Sequence, residues 1–320
     1  MTLVTIRSEK LSSEECKQLA LLNISTRKGT PLESSKSEDE IAKNIENISN
    51  SDAFQVLTAS DENGKLVGWI YYYIAFPLMT FISGFYPEVI QSQASEEIAL
   101  ALIEASKEEF VERGHTRLEI EVVYPSETHR IHYKNLVELY NKCGFQFAAE
   151  EIHMKSELNT IELPYLELPK GYAVRKFSDT AYEDLEGPGF RTLKDSKEGL
   201  FLSMSPAEQE VTIRYFFDKS RPCIDDASLI VMKDDEIVGF VITRWSDDKE
   251  PDIGPVGLVP EARGKGLASY LLVRVLKSLK EGCFSNAFLD TTITNYPAQK
   301  LYRKFGFEDV YYKQFYYWSP

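Results

Sequence analysis

A glycine-punctuated loop between an apolar segment and a helical pattern is the stretch best suited to bind a ligand. The loop is Arg263-Gly264-Lys265-Gly266, it follows the apolar run Val256–Val259, and apolar residues recur at helical spacing from Leu267 to Leu279. Glycines let the backbone approach a ligand closely, and the first amides of a helix point their N–H groups at anions. The stretch predicts a phosphate cradle. The spacings of a Walker loop and of a Rossmann fingerprint are both absent.

A strand that leaves its neighbour is expected just before this loop. Gly254, Pro255 and Gly257 are unusual strand residues, because glycine signals a bulge or a close backbone approach and proline lacks an N–H group. A splayed strand would leave the backbone of Val256–Val259 free to bond the amides of a pantetheine chain, as an added strand does. The alternative is a plain turn within a hairpin.

Two segments in this half resemble a known family. The run Val259-Pro260-Glu261-Ala262-Arg263-Gly264-Lys265-Gly266-Leu267-Ala268 resembles the acyl-CoA signature of the GCN5-related N-acetyltransferase (GNAT) superfamily. Further on, Asn295–Phe307 is similar to that family's second signature, Asn-x-x-Ala-x-x-Leu-Tyr-x-x-x-Gly-Phe. The order of the two motifs is the family's order, so acetyl-CoA is the acyl donor that the resemblance implies.

The resemblance and the loop together predict how acetyl-CoA is held. Backbone amides from Arg263 to Ser269 would wrap the diphosphate, and a backbone N–H near Leu258 would lie beside the thioester carbonyl. Asn295 either contacts the cofactor, as it often does in the family, or only caps the helix that follows it. The predicted cofactor-binding residues are Val256, Leu258, Val259, Arg263, Gly264, Lys265, Gly266, Leu267, Ala268, Ser269 and Asn295.

Acyl transfer to an amine also needs an acid and a way to remove a proton. Tyr302 matches the position of the family's usual acid for the departing thiolate, although Tyr140 stands in the same slot of the first half and a packing role is the alternative. Asp252 is the predicted base, with Glu250 or a chain of water molecules as alternatives. The chain has four histidines, and because all of them lie in the first half, no histidine base is expected unless the two domains pack over the site.

The two halves of the sequence contain matching segments in the same order. The hairpin strand Lys65–Ile70 is matched by Glu236–Val241, and the helix-to-strand turn Leu139–Phe145 is matched by Leu301–Phe307. Each half reads as β-α-α-β-β-β-α-β-α-β-β. The fold class is therefore α/β (α+β mixed), with two tandem GNAT-like domains, each a mixed, mostly antiparallel sheet flanked by helices.

The predicted domains are residues 1–158, a linker at 159–171 and a catalytic domain at 172–320. In the first copy Tyr86-Pro87-Glu88 takes the place of Val259-Pro260-Glu261, and no glycine or basic residue follows it. Glu96 and Glu97 at the next helix start would repel a diphosphate. The first copy is thus predicted to bind no cofactor and to help wall the acceptor site or form a homodimer contact.

Composition narrows the class of protein. The chain has 320 residues and a net charge of −14, which argues against a broad nucleic-acid or anionic-membrane surface. No apolar run is long enough to cross a membrane, and the N-terminus has no signal-peptide pattern. Four scattered cysteines without a Cys-x-x-Cys pair favour a reduced, cytoplasmic protein without a structural metal.

The sequence therefore predicts an acetyltransferase that moves an acetyl group from acetyl-CoA to a primary amine of a small molecule or peptide. The alternative is a non-catalytic module that binds acyl-CoA or another protein. A nucleic-acid binder using Arg263 and Lys265 is disfavoured by the acidic charge.

Overall fold

A computed structural model describes residues 4–28, 34–74, 76, 78–90, 92, 94–124, 126, 134–196, 198–246 and 249–320, with the backbone alone for 80–86. The chain forms two compact units, of which the first comprises 1–148 with 314–320 and the second comprises 149–313. No helix in the described part of the chain is long and apolar enough to cross a membrane.

The first unit places helices against a mostly antiparallel sheet. β1 to β4 pair with their neighbours in antiparallel fashion, and β4 and β5 are parallel. The turn before β3 matches the expected hairpin, because the Asp61 carboxylate accepts the amides of Asn63 and Lys65. The elements are β1 Thr5–Arg7, α1 Ser13–Arg27, α2 Glu38–Asn50, β2 Phe54–Ser60, β3 Leu66–Tyr73, β4 Met79–Val89, α3 Ser95–Glu112, β5 Arg117–Tyr124 and α4 Lys134–Lys142.

The second unit has the same pattern of pairing. Strands β7 to β10 pair in antiparallel fashion, β10 and β11 are parallel, and β11 pairs with β6 in antiparallel fashion. The elements are β6 Gln146–Glu157, β7 Tyr172–Lys176, α5 Tyr182–Lys194, α6 Gly199–Leu202, α7 Pro206–Phe216, β8 Leu229–Lys233, β9 Glu236–Trp245, β10 Pro251–Leu258, α8 Leu267–Glu281, β11 Asn286–Thr292, α9 Tyr296–Lys304 and β12 Phe307–Trp318. The predicted α/β class, with a mixed, mostly antiparallel sheet in each half, is confirmed.

The final strand of each half is long and single, where the sequence pattern predicted a pair. β6 belongs to the second unit from Ala149 onward, and β12 belongs to the first unit from Gln314 onward. Ile152 and Met154 of β6 therefore lie in the core of the second unit, whereas Tyr316 of β12 lies in the core of the first. The compact units thus divide the chain differently from the predicted domains, since each half supplies part of a strand to the other unit.

The segment predicted as a linker packs against the second unit. Residues 159–171 form neither helix nor strand, yet Ile161 and Leu163 are partly buried against the core of that unit. The Lys280 ammonium donates to the carbonyl of Ile161 at 2.8 Å. The apolar side chains of this segment therefore pack on the core of the second unit, and the Lys280 hydrogen bond joins its backbone to α8.

The core of the second unit is built on α8, and its apolar stripe is the one that the helical spacing predicted. Leu267, Leu271, Leu272, Val275, Leu276 and Leu279 are all at most 2% exposed. Burying these side chains against the sheet fixes the start of the helix relative to β10, because a fully buried leucine or valine contributes about 1.5–3 kcal/mol. The loop before α8 is thereby held at the end of β10.

Candidate functional site

β10 leaves its parallel neighbour near its start. It pairs with β11 at Asp252, whereas its pairing with β9 continues from Pro251 to Leu258. The register with β9 shifts between Ile253 and Val256, and the Gly254–Pro255 peptide in this shift is cis. Past Asp252 the β11-facing edge of the strand is therefore open within the described chain. This is the splayed geometry expected from the glycines and proline.

The loop between β10 and α8 carries a run of unpartnered main-chain donors. Residues Pro260–Ala262 form one 3-10 turn, and Gly264 and Gly266 have φ values of +73° and +82°. In the part of the chain that the structure describes, the six amides from 264 to 269 find no hydrogen-bond acceptor. The first turn of a helix leaves such donors free, and the positive end of the helix dipole adds to their attraction for anions.

The two cationic side chains of the loop are bonded to the protein itself. Arg263 donates to the carbonyl of Leu258 at 3.0 Å and to the carboxylate of Asp195 at 2.6 Å. The Lys265 ammonium donates to the carbonyl of Glu261 at 2.6 Å. These contacts brace the loop, and they leave each cation with further donors beside the unpartnered main-chain amides.

A cavity of about 750 Å³ connects the loop with the predicted catalytic residues. All of its lining residues belong to the second unit. It brings together most of the predicted site: Asp252, Val256, Leu258, Arg263, Gly264, Gly266, Leu267, Ala268, Ser269, Asn295 and Tyr302. Val259 and Lys265 lie outside it, because Val259 packs into the core at 2% exposure and Lys265 turns to Glu261.

Tyr302 lies on α9 and faces this cavity. It is 7% exposed, and its ring meets the ring of Phe307 edge-on with 6.0 Å between centroids. Burial raises the pKa of the Tyr302 phenol, and the neighbouring carboxylate of Glu198 raises it further. The phenol is therefore protonated at neutral pH and is able to donate a proton.

Asn295 caps the helix that carries Tyr302. Its side chain accepts a hydrogen bond from the amide of Ala298 at 3.4 Å, which is the capping role that sequence reasoning allowed. A residue that sequence reasoning missed, Glu198, lies next to it. The Glu198 carboxylate accepts from the Thr292 hydroxyl at 3.0 Å, and burial raises its pKa. Nothing local in the sequence marks Glu198, which reaches the cavity from the irregular segment before α6.

Asp252 stands at the point where β10 and β11 separate. Burial raises the pKa of its carboxyl to about 6, and repulsion from Asp290 adds to this, while Lys313, His153 and Arg221 act in the opposite direction. A carboxyl group with this pKa is ionised at neutral pH and is a stronger base than an exposed one. The alternative base, Glu250, lies outside the cavity, with Oε1 3.5 Å from the Asn286 amide nitrogen.

His153 corrects the expectation that every histidine belongs to the first half. It lies on β6 within the second unit, and its Nδ1 is 2.8 Å from a carboxylate oxygen of Asp290. Its ring stacks between those of Phe288 and Tyr311, with centroid distances of 5.4 and 4.4 Å. The other Asp290 oxygen accepts from Lys313 at 3.0 Å. The sequence repeat concealed this cluster, because strand β6 precedes the predicted linker.

In the first unit, the strand that corresponds to β10 is aligned differently from the match that the sequence predicted. Gly68 pairs with Val89 there, and Gly239 pairs with Leu258 in the second unit. Glu88 is therefore the structural counterpart of Gly257, and the proposed match of Tyr86-Pro87-Glu88 with Val259-Pro260-Glu261 is wrong. The physical reason is that Pro87 lies inside β4, whereas Pro260 lies in the turn after β10.

The fold and this site define a class of protein. Residues 195–307, about a third of the chain, match the Acetyltransferase (GNAT) family, which confirms the resemblance to the GCN5-related N-acetyltransferase superfamily that the two signatures predicted. The matched segment contains the loop, Asp252, Asn295 and Tyr302.

Individual relatives cover different shares of the chain. It is similar to the mycothiol acetyltransferase of Nocardia farcinica, with 27% identity over 173 residues, which is 52% of this chain and 55% of the relative. The chain thus spans about half the length of the curated relatives that it matches. A GNAT structure from Sphaerobacter thermophilus covers 98% of this chain and 95% of its own, with a TM-score of 0.63 and 16% identity. A tandem GNAT protein from the clavulanic acid biosynthesis pathway covers 99% and 98%, with a TM-score of 0.59 and 14% identity.

Proposed function

We propose that the second unit transfers an acetyl group from acetyl-CoA to a primary amine of a small molecule or peptide by direct attack in a ternary complex. The observation that carries this proposal is one cavity lined by five of the six residues with unpartnered amides, by a buried carboxyl of raised pKa and by a buried phenol. A module that only binds acyl-CoA would need the amides alone. The acetyl donor is supported by the name of the relative from Nocardia farcinica, an acetyltransferase.

The residues at the cradle fit the donor substrate. The amides from 264 to 269 would hold its diphosphate, and the positive φ values at Gly264 and Gly266 turn the chain so that these amides follow one another around an anion. The open edge of Val256–Leu258 would accept its pantetheine arm as an added strand. The donor supplies a thioester carbonyl, which a backbone N–H near Leu258 would polarise.

Asp252 would remove a proton from the acceptor amine. An alkylammonium group has a pKa near ~10, so the nucleophile must lose a proton before it attacks. Asp252 lines the cavity, is ionised above its pKa of about 6, and is held between strands of a packed sheet. It can therefore accept that proton at neutral pH.

Tyr302 would return a proton to the leaving thiolate. Its phenol is protonated at neutral pH, as tyrosine ordinarily is, and it lies on the capped helix α9 at the cavity wall. Removal of a general acid costs about 100- to 10,000-fold in rate when the leaving group needs a proton.

A thiol-release assay with the full chain tests the proposal. Acetyl-CoA and a panel of amines are mixed with the protein, free thiol is followed by colorimetry, and products are identified by mass. We expect amine-dependent thiol release with an acetylated product. Tight CoA binding by calorimetry without product for any amine would indicate the non-catalytic alternative, and absence of CoA binding would contradict both.

A further inference from the structure

Two arginine side chains line the cavity beside the proposed base. Arg244 stands opposite Asp252 in the register of β9 and β10, and it is 6% exposed. Arg221 lies in the segment between α7 and β8, and its guanidinium covers the Tyr215 ring at 3.6 Å. The reaction proposed above uses neither of these side chains.

The hydrogen bonds of these arginines go to neutral main-chain carbonyls. Arg244 donates to the carbonyls of Arg221 at 2.8 Å, Phe216 at 2.8 Å and Asp218 at 3.0 Å, and its Nε has no partner in the described part of the chain. Arg221 donates to the carbonyl of Tyr215 at 2.9 Å. Among the described residues, neither guanidinium forms an ion pair with a carboxylate. Arg244 thus holds the backbone that presents Arg221.

The Asp218 carboxylate acts on the charge of both arginines, but it forms no ion pair with either among the described residues and does not line the cavity, so the cavity wall carries positive charge here. The chain has 50 acidic and 36 basic residues, so acidic partners are plentiful elsewhere. Burial lowers the pKa of Arg244, and the nearby charge of Arg221 lowers it further, which places the two guanidiniums close enough to repel each other. An anion bound here would relieve that repulsion and would accept charge-assisted hydrogen bonds.

The same cavity has an acidic side. Asp252, Asp290 and Glu198 line it together with the apolar side chains of Phe201 and Trp245. A cationic amine is attracted to the carboxylates, whereas an anionic group is attracted to the guanidiniums. A cavity lined by both kinds of group therefore suits a molecule that carries both charges.

We propose that the acceptor bears an anionic group, a carboxylate or a phosphate, close to its amine, and that Arg221 binds this group. The proposal rests on the acetyl transfer proposed above and names the class of acceptor. Arg221 is chosen over Arg244 because the three carbonyl contacts of Arg244 already commit it to the backbone, while Arg221 lines the cavity and is bonded to a single carbonyl among the described residues. The amine would then lie on the side of Asp252.

Matched pairs of amines test this class. Leucine is compared with leucinamide, and phosphoethanolamine with ethanolamine, by kcat/KM in the thiol-release assay with the full chain. We expect at least one member with an anionic group to exceed the partner that lacks this group by about tenfold or more. The amine of leucinamide loses its proton more readily than that of leucine, which biases the comparison against the expected result. Preference in one pair or the other identifies carboxylate or phosphate.

Two variants assign the preference to Arg221. Arg221→Gln is expected to remove the preference through a higher KM for the anionic member, with CoA affinity unchanged by calorimetry. Arg214→Gln, a change of an exposed arginine on α7 that pairs with Glu210, is the matched control and is expected to keep the preference. Two results would overturn this inference alone. One is an equal or higher kcat/KM for the amines that lack an anionic group, and the other is a preference that survives Arg221→Gln. Failure to acetylate every amine would overturn the proposed function as well.

Discussion

The loops before α3 and α8 are equivalent places in two similar sheets, and they differ in how their main-chain amides are satisfied. Before α3, the Ser95 hydroxyl accepts the amide of Ser92 at 2.7 Å, and the Ser92 hydroxyl accepts the amide of Ala94 at 3.2 Å. Before α8, the amides from 264 to 269 have no acceptor in the described chain. Similar folds thus provide a run of unpartnered amides in one unit and an internally bonded turn in the other.

The strand that precedes each loop shows a second difference. At the position of Gly257, the first unit has Glu88, which is 6% exposed and accepts hydrogen bonds from Asn23, Arg27 and the Trp69 indole. A Cβ atom at Gly257 would lie 2.2 Å from a methyl carbon of Thr192, so helix α5 packs directly on the bare backbone there. One strand therefore carries a buried polar network, while the other keeps its backbone at the surface of the cavity.

The largest expected effect on activity distinguishes Tyr302 from Tyr140, the tyrosine in the same position of the first half. Tyr140 is fully buried against Phe145, and its hydroxyl has no hydrogen-bond partner among the described residues, whereas Tyr302 faces the cavity. Tyr302→Phe is expected to lower kcat by about 100-fold or more, because the leaving thiolate loses its acid. CoA affinity, measured by calorimetry, is expected to change little.

Tyr140→Phe is the matched control for this prediction. It removes a hydroxyl that is buried without a partner, so activity should be unchanged and the free energy of unfolding should be equal or higher by up to about 1 kcal/mol. Equal loss of activity in both variants would show that the two tyrosines share a packing role. Full activity of Tyr302→Phe would remove the proposed acid.

A smaller effect is expected from giving the second unit an acidic helix start like that of the first. Ala268→Glu places a carboxylate in the first turn of α8, where α3 has Glu96 and Glu97. We expect the Kd for CoA to rise about tenfold, which corresponds to about 1.4 kcal/mol of lost attraction at the helix N-terminus. Ala268→Gln has the same size without the charge, and calorimetry should show it within about twofold of the native protein. Equal weakening by both substitutions would attribute the loss to size and would place the diphosphate elsewhere.

Local sequence patterns predicted most features of β10, the loop that follows it and α8. The helical stripe, the glycines of the loop and the glycine–proline interruption of β10 each act within a few residues, so their physical meaning can be read from spacing alone. The counterpart of Gly257 could not be found in this way, because strand register depends on bulges and partners elsewhere in the sheet.

Local patterns also could not predict the contacts of His153, Asp290 and Glu198, because these contacts join segments that are far apart in the sequence. His153 joins Asp290 only through the pairing of β6 with β11, which are far apart in sequence. Glu198 reaches Thr292 because the segment before α6 folds back onto β11, and no periodic pattern in that segment announces this. Sequence reasoning therefore named Asp252 without the neighbours that set its pKa.

The smallest expected effect is a shift in the pH dependence of kcat/KM when a charged neighbour of Asp252 is replaced. If Asp252 is the base, kcat/KM should fall as the pH drops through about 6, because protonation removes the acceptor for the amine proton. Asp290→Asn removes a negative neighbour, so Asp252 should lose its proton more readily and the acid limb should move to lower pH by about one unit. Lys313→Met removes a positive neighbour and should move the limb to higher pH. Shifts of opposite sign in the pH profiles of kcat/KM would be hard to obtain from a general loss of packing. If both variants shift the limb in the same direction, or neither does, the titrating group is not Asp252, and the water-chain alternative for proton removal is favoured.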